Sequence, residues 1–211
     1  MEDVLHLLAA PYDPKRPVVC FDEQSVQLLA DARPSLPVRP GQPHRQDHEY
    51  KRRGTANVFM TVEPLVGWRH VEVTAHRTKL DFAGEMQQLV DVHYPAADCI
   101  RVVLDNLNTH GPASLYEAYP PDEAFRILRR LDFHHTPKHA SWLNPAELEL
   151  SAFTSQCLDR RIPDRLTLAR QSAAWEKRRN RERVKIHWRF GVQNARTKLH
   201  RLYPKLSNNN Q

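Results

Sequence analysis

Ile100-Arg-Val-Val-Leu-Asp105 is a short run of β-formers that ends in an acid, and Pro17-Val-Val-Cys-Phe-Asp22 has the same form. Runs that are apolar at successive positions read as strands buried on both faces, the usual state of a parallel sheet. Ala56 to Val62 and Trp68 to Thr74 are strands of another kind. The second alternates Val71 and Val73 with Glu72 and Thr74, and Pro64 to Gly67 between them reads as a hairpin turn. Helical spacing covers 78–93 through Leu80, Ala83, Met86, Leu89 and Val90. Helices at 112–119 and 121–131 are each entered through proline. Asp132 to His135 is a short strand, and a long helix starts at Asn144-Pro145 and runs to about Arg161. Basic helices follow at roughly 164–182 and 191–202. Residues 1–16 read as a short helix or linker, 23–54 as irregular and proline-rich, and 206–211 as a disordered tail. The order β, β, β, α, β, α, β, α argues for an α/β domain over 17–205, with a mixed sheet flanked by helices and a basic helical segment at 160–205.

Composition excludes several classes. With 40% hydrophobic and 27% charged residues in 211, the chain reads as a soluble globular domain. No run approaches the ~18 apolar residues of a membrane span, and no basic segment precedes the short apolar stretch at the N-terminus, so neither a membrane protein nor a signal peptide is read. Three distant cysteines support neither a disulfide framework nor a cysteine-rich zinc site, and fit the reducing cytoplasm. There is no GxGxxG and no GxxxxGK[ST], so no nucleotide cofactor is expected. Charge is unevenly placed. Residues 1–159 hold 16 basic and 22 acidic side chains, a balance of −6, whereas 160–205 hold 15 basic and 3 acidic, a balance of +12. A basic segment on an acidic body points to a polyanion, nucleic acid first. A second basic cluster, Lys51-Arg52-Arg53, follows the proline-rich loop from Pro34 to Pro43.

Asp22 and Asp105 each close a buried-looking strand. If the strands are parallel neighbours, both carboxylates emerge at the sheet edge where open α/β folds bind ligands. Side by side they repel unless a cation lies between them, and Mg²⁺ suits such oxygen ligands. Strand-end aspartates also simply begin turns. A third acid comes from the helix at 144, whose apolar stripe is Ala146, Leu150, Phe153 and Cys157. Glu147 and Glu149 flank that stripe on opposite sides, and periodicity does not choose between them. Asn144, Pro145 and Glu147 also form a capping-box pattern. His134, His135 and His139 cluster without HExxH spacing, so zinc is not read. His110 reads as a loop histidine or as a second group behind Asp105. Ser25, Ser141 and Ser151 lack a nucleophile-elbow context.

Three blocks, Cys20-Phe-Asp22-Glu23, Leu104-Asp105-Asn106-Leu-Asn108-Thr-His110 and Thr136-Pro-Lys138-His139-Ala-Ser-Trp142-Leu-Asn144-Pro-Ala-Glu147-Leu-Glu149, resemble the catalytic domain of the mariner-like superfamily of bacterial insertion-sequence transposases. The resemblance extends over about 2–205. It implies a DDE endonuclease on an RNase H-like fold, with three antiparallel strands and then parallel ones. It places the acids at Asp22, Asp105 and Glu147, holding Mg²⁺ or Mn²⁺, two ions in all. It further implies metal-dependent cleavage of double-stranded DNA at transposon ends, strand transfer to a target, and a homodimer. Asn106, His110, Lys138, His139, Trp142 and Asn144 are expected behind the acids or facing DNA. Lys51, Arg52, Arg53, Arg178, Arg179, Arg181 and Arg183 are expected on the DNA backbone. Members of this family normally carry an N-terminal helix-turn-helix that reads the element's ends, and none is read in this chain. A silent DNA-binding remnant and an RNase H-like nuclease are the competing readings.

Overall fold

The computed structural model describes residues 1–33, 41, 48–138 and 140–203. The loop expected from Pro34 to Pro43, apart from Gly41, and the tail at 206–211 lie outside the described residues. Five strands form one sheet: β1 (Val18–Asp31), β2 (Tyr50–Glu63), β3 (Trp68–Thr74), β4 (Ile100–Leu104) and β5 (Leu131–His135), in the order β3-β2-β1-β4-β5. The first three pair antiparallel, whereas β4 runs parallel to β1 and β5 parallel to β4. The expected mixed sheet is therefore present.

Helices cover both faces. On one lie α2 (Lys79–Gln88, continuing as a π-helical turn over Leu89–His93), α3 (Pro112–Ala118) and α4 (Pro121–Leu128). Phe21 and Phe59 of the strands pack there against Phe82, Met86, Leu115 and Ile127. On the other face lie α5 (Pro145–Cys157) and α6 (Arg165–Glu182), where Val58 and Met60 meet Leu150, Phe153 and Trp175. The apolar stripe read on α5 is buried at all four positions. Beside them α1 (Glu2–Ala9) buries Val4, Leu7 and Leu8 against Val18, Cys20 and Val62. α7 (Val192–Lys198) joins α1 through Ala195 and Leu5 and through a Glu2–Arg196 ion pair of 2.7 Å. No helix among the described residues is long and apolar enough to cross a membrane.

The α5–α6 layer is keyed to the sheet by one buried ionic knot. Arg69 of β3 is fully buried, and its guanidinium donates to the carbonyls of Gly67 (3.0 Å) and Val184 (2.6 Å). Glu149 of α5 lies 3.0 Å from Arg69 Nε and accepts two hydrogen bonds, of 2.5 and 3.0 Å, from Arg179 of α6. The buried carboxylate is tolerated because two guanidiniums replace its water, and the buried Arg69 because carbonyls satisfy its remaining donors.

Several expectations are corrected. Residues 23–54 are not irregular throughout: β1 continues to Asp31 and β2 begins at Tyr50, as one long hairpin. Ser25 and Gln27 are exposed while Val26 and Leu28 are buried, the period of two that a half-buried strand requires. The register slips between Gln27 and Leu29, opposite Gly54, whose φ of 96° provides the extra residue of a bulge. Lys51, Arg52 and Arg53 thus stand exposed on a strand rather than on a loop. Asp22 is likewise inside a strand, not at its end. α5 stops at Cys157, short of Arg161, because the chain turns to bring the Ile162 carbonyl onto the Leu29 N–H at 2.8 Å. Leu80, assigned to the buried side of its helix, is 59% exposed; Phe82 takes the core position instead.

Gly67 closes the β2–β3 turn with φ of 75°, and a Cβ there would lie 2.6 Å from the Arg183 carbonyl. Gly54 has a similar φ but open space around it. In urea denaturation, Gly54→Ala should cost about 1–2 kcal/mol, the left-handed backbone alone. Gly67→Ala should cost about 2–5 kcal/mol, because overpacking adds to the same backbone strain.

Candidate active site

β1 and β4 share a parallel ladder only from Val18–Arg101 to Cys20–Val103. β4 ends one residue later, so Asp105 leaves the sheet where β1 has just lost its parallel neighbour. Asp22 lies two residues past the last rung. Alternation turns it to the Cys20 face, toward α5, and turns Glu23 to the Phe21 face. A cleft of about 500 Å³ opens between Asp22 and α5, lined by Asp22, Glu23, Gln24, Glu147, Ser151 and Thr154 among others.

Three amide and imidazole side chains hold the segments that carry these acids. Asn144, fully buried, donates from Nδ2 to the Phe21 carbonyl at 2.7 Å and accepts from the Ala146 N–H at 3.2 Å. It therefore caps α5 and ties its first turn to the residue before Asp22. The Asn144 N–H is donated to the Ser141 carbonyl at 2.7 Å. The reciprocal capping bond expected from Glu147 is thus replaced, and Glu147 faces the cleft. Asn106 donates to the Thr136 carbonyl, fastening the loop after β4 to the end of β5. His110, buried against Phe21 and Phe82, has Nδ1 2.6 Å from Asp105 and Nε2 3.1 Å from Glu23.

The electrostatics follow from this placement. Burial alone would pull His110 down, but Asp105 and Glu23 outweigh it and push it up to about 9. Asp105 is held below the usual carboxylate range by His110, against partial burial, with help from the Leu107 N–H. Asp22 is pushed up to about 7, by burial first and then by the like charges of Glu23, Asp105 and Glu147, against the Glu23 N–H. An oxygen-rich site with surplus negative charge is chemically suited to a hard divalent cation. The acids nevertheless stand apart: among the described residues no group of three ligating side chains is assembled in a metal-holding arrangement.

Glu147 and Glu149, equal by periodicity, differ in their partners: Glu149 is consumed by Arg69 and Arg179, whereas Glu147 lines the cleft. Lys138 is exposed, and Trp142 is 42% exposed with its ring edge-on to Phe190. His139 lies outside the described residues. His134 pairs with Asp3 and Asp132, away from the acids. Arg178, Arg181 and Arg183 are exposed. Arg179 is not available to DNA in this structure, because its guanidinium is taken up by Glu149 and lies over the Trp175 ring at 5.2 Å. Sequence reasoning gave no role to Glu23. Its signal was the acidic pair itself, since adjacent strand positions place carboxylates on opposite faces.

The chain belongs to the DDE superfamily endonucleases, whose family model matches residues 17–169. Among solved structures it is similar to the Mos1 mariner paired end complex with Mn, at 14% identity over 87% of this chain and 56% of that one, with a TM-score of 0.56. It is also similar to the Mos1 transposase paired-end complex with left transposon end (14% identity, 87% and 60% coverage, TM-score 0.50). The mariner Mos1 paired end complex with Mg is a third (15% identity, 89% and 62% coverage, TM-score 0.50). At these identities the likeness is one of fold, and the chain spans roughly three-fifths of the chains it matches. No curated protein matches the chain.

The double role of Asn144 has a separable test. Aspartate is as good an N-cap as asparagine, but it cannot donate to the Phe21 carbonyl. Asn144→Ala and Asn144→Asp should therefore both lower stability, by about 2–3 kcal/mol, through loss of a buried donor. If capping alone mattered, chemical denaturation would find Asn144→Asp close to wild type.

Proposed function

We propose that this chain is the catalytic domain of a DNA transposase, in which Asp22, Asp105 and Glu147 hold divalent metal and DNA is cut and rejoined. The observation that carries the reading is that Asp22, which shares a cleft with Glu147 and lies just past the β1–β4 ladder, is pushed up by burial and then by the like charges of Glu23, Asp105 and Glu147, in a chain of the DDE endonuclease family. Glu147 and Asp22 both line the cleft, and Asp105 follows directly on the end of β4. When bound there, Mg²⁺ or Mn²⁺ supplies Lewis-acid activation of water or a 3′ hydroxyl and neutralises charge on a phosphodiester.

The chain's own residues do the positioning. His110 holds Asp105 ionised and fixes its orientation, while Glu23 balances the imidazolium from the other side. Asn144 sets the distance between Asp22 and Glu147. Basic groups on the hairpin and at the end of α6, among them Lys51, Arg52, Arg53, Arg181 and Arg183, are exposed, which supports their meeting the polyanion. The relatives are described as paired-end complexes, which supports a homodimer on two DNA ends. The competing nuclease on RNA–DNA hybrid shares these acids, and substrate preference separates the two.

Purified protein should nick supercoiled DNA with Mn²⁺ and not with EDTA, and Asp105→Ala should lower the rate by at least about a hundredfold, the several kcal/mol expected of a lost metal ligand. Folded protein that shows no metal-dependent, Asp105-dependent cleavage would leave the silent-remnant reading.

Stability carries an independent signature. Asp22 titrates at about 7 in the fold and near 3.8 when unfolded, so the fold binds its proton more tightly. Its contribution is fully present below the unfolded value and is lost as pH rises through about 7. Asp22→Asn should therefore raise Tm at pH 8 by a few degrees, at about 2–4 °C per kcal/mol recovered for a chain of this size. It should change little at pH 4. Mn²⁺ should stabilise the wild type more at pH 8 than at pH 5, where the proton competes, and should not do so for Asp22→Asn.

A further inference from the structure

A cleft of about 250 Å³ opens between the C-terminal end of α5 and α6, away from the acids. Two guanidiniums, Arg160 just past α5 and Arg178 on α6, line it. Both side chains are exposed, and neither has a carboxylate partner among the described residues. The seam explains why. Glu149 lies on this side of α5 and is already shared by Arg69 and Arg179, and seven residues on, at the same helical position, stands neutral Gln156. Gln156 Oε1 accepts from Trp175 Nε1 at 3.0 Å and from Arg178 at 3.1 Å, which leaves most of the Arg178 fork free. Both guanidiniums bear on the Cys157 thiol in the cleft wall, where they oppose the burial that raises it. Gln171, also in the wall, has a buried side-chain oxygen with no donor, and its amide presents an N–H₂ group instead when rotated by a half-turn.

Two like charges converge on one cleft walled by further donors and no carboxylate. Such a site lacks an anion with several oxygens, and guanidinium forks match phosphate. We infer that the Arg160–Arg178 cleft binds a backbone phosphate of DNA, as a contact separate from the strand held at the acids. The inference rests on the proposed action on DNA. Glu147 and Gln156 are nine positions apart, which places them on opposite sides of α5 and about 14 Å apart along its axis. A phosphate in the cleft therefore belongs to a distant part of the bound duplex or to a second one.

The test is equilibrium binding of a DNA duplex across a salt series, without metal, for wild type, Arg160→Gln/Arg178→Gln, Asp105→Ala and Arg129→Gln. Arg129→Gln removes an exposed charge beyond α4, on the opposite layer. The double variant should bind about tenfold more weakly, and its salt slope should be shallower by about 1–2, one unit for each phosphate that is no longer neutralised. Arg129→Gln should match wild type, and Asp105→Ala should keep the wild-type slope. A double variant with unchanged slope, beside wild type that binds DNA, would overturn the cleft while leaving the proposed function standing. A parallel arm adds inorganic pyrophosphate. If it binds wild type through these arginines while the DNA slope is unaffected, the cleft is a site for free phosphoanions and the DNA assignment fails. If wild type binds no DNA at any salt, the cleft assignment and the transposase reading fall together. Thermal unfolding of the double variant, expected to match wild type because both side chains are exposed, excludes misfolding as the cause of weaker binding.

Discussion

The hydrogen bond from Asn144 to the Phe21 carbonyl is the constraint on which the rest of the site depends. Asp22 and Glu147 come from elements more than a hundred residues apart in sequence, and each is repelled by the other. Packing of Leu150 and Phe153 fixes the rotation of α5 over the sheet, but apolar contacts tolerate sliding along the helix axis. A buried donor facing one particular carbonyl does not. Because the same amide caps the helix, the axial position of α5 and the start of its first turn are set by one group. Glu147 follows three residues later, so its place relative to Asp22 is inherited rather than independently stabilised.

The two glutamates of α5 show how neighbouring identical side chains acquire opposite fates. Glu149 faces the sheet and α6, where Arg69 and Arg179 neutralise it. That knot makes the layer rigid, because removing one partner of a buried pair strands the other. Glu147 faces the cleft, where Asp22 adds charge of the same sign. One helix thus carries a satisfied carboxylate on its structural side and an unsatisfied one on its open side. The fold is held by the first, and the second lines the cleft, where the proposed function gives it a ligand cation.

Much of this was legible in the sequence. The buried strands, the acid that follows β4, the stripe of α5 and the turn at Gly67 are local patterns, and the structure keeps them. The choice between Glu147 and Glu149 was not legible from periodicity, because it depends on Arg69 and Arg179, which only the tertiary fold brings to one side of α5. The same holds for His110, an ordinary loop histidine until Glu23 arrives from another strand. The long hairpin was hidden differently. Ser25 to Leu28 alternates as a strand should, but the prolines from Pro34 onward and the bulge at Gly54 mask the pairing that extends β1 to Asp31. Arg179 fails as a surface cation for a related reason: its neighbours in sequence are exposed arginines, and only the seam with α5 distinguishes it.

The uneven charge of the chain then acquires a spatial meaning. On the proposed reading the acidic body supplies the carboxylates that hold metal, and the imidazole beside Asp105 is shared with Glu23. On the same reading the basic C-terminal segment meets DNA without pairing with those acids. The fold places its internal ion pairs selectively. Glu149 engages Arg69 and Arg179, Glu176 of α6 engages the half-buried His70 of β3, and Glu23 engages the imidazole that touches Asp105. Two fields are thereby segregated among the described residues: the Asp22 and Glu147 carboxylates on one side of α5, the Arg160 and Arg178 guanidiniums on the other. A helix about 10 Å across, screened only partly at physiological salt, keeps the two fields distinct and close enough for the proposed DNA to feel both.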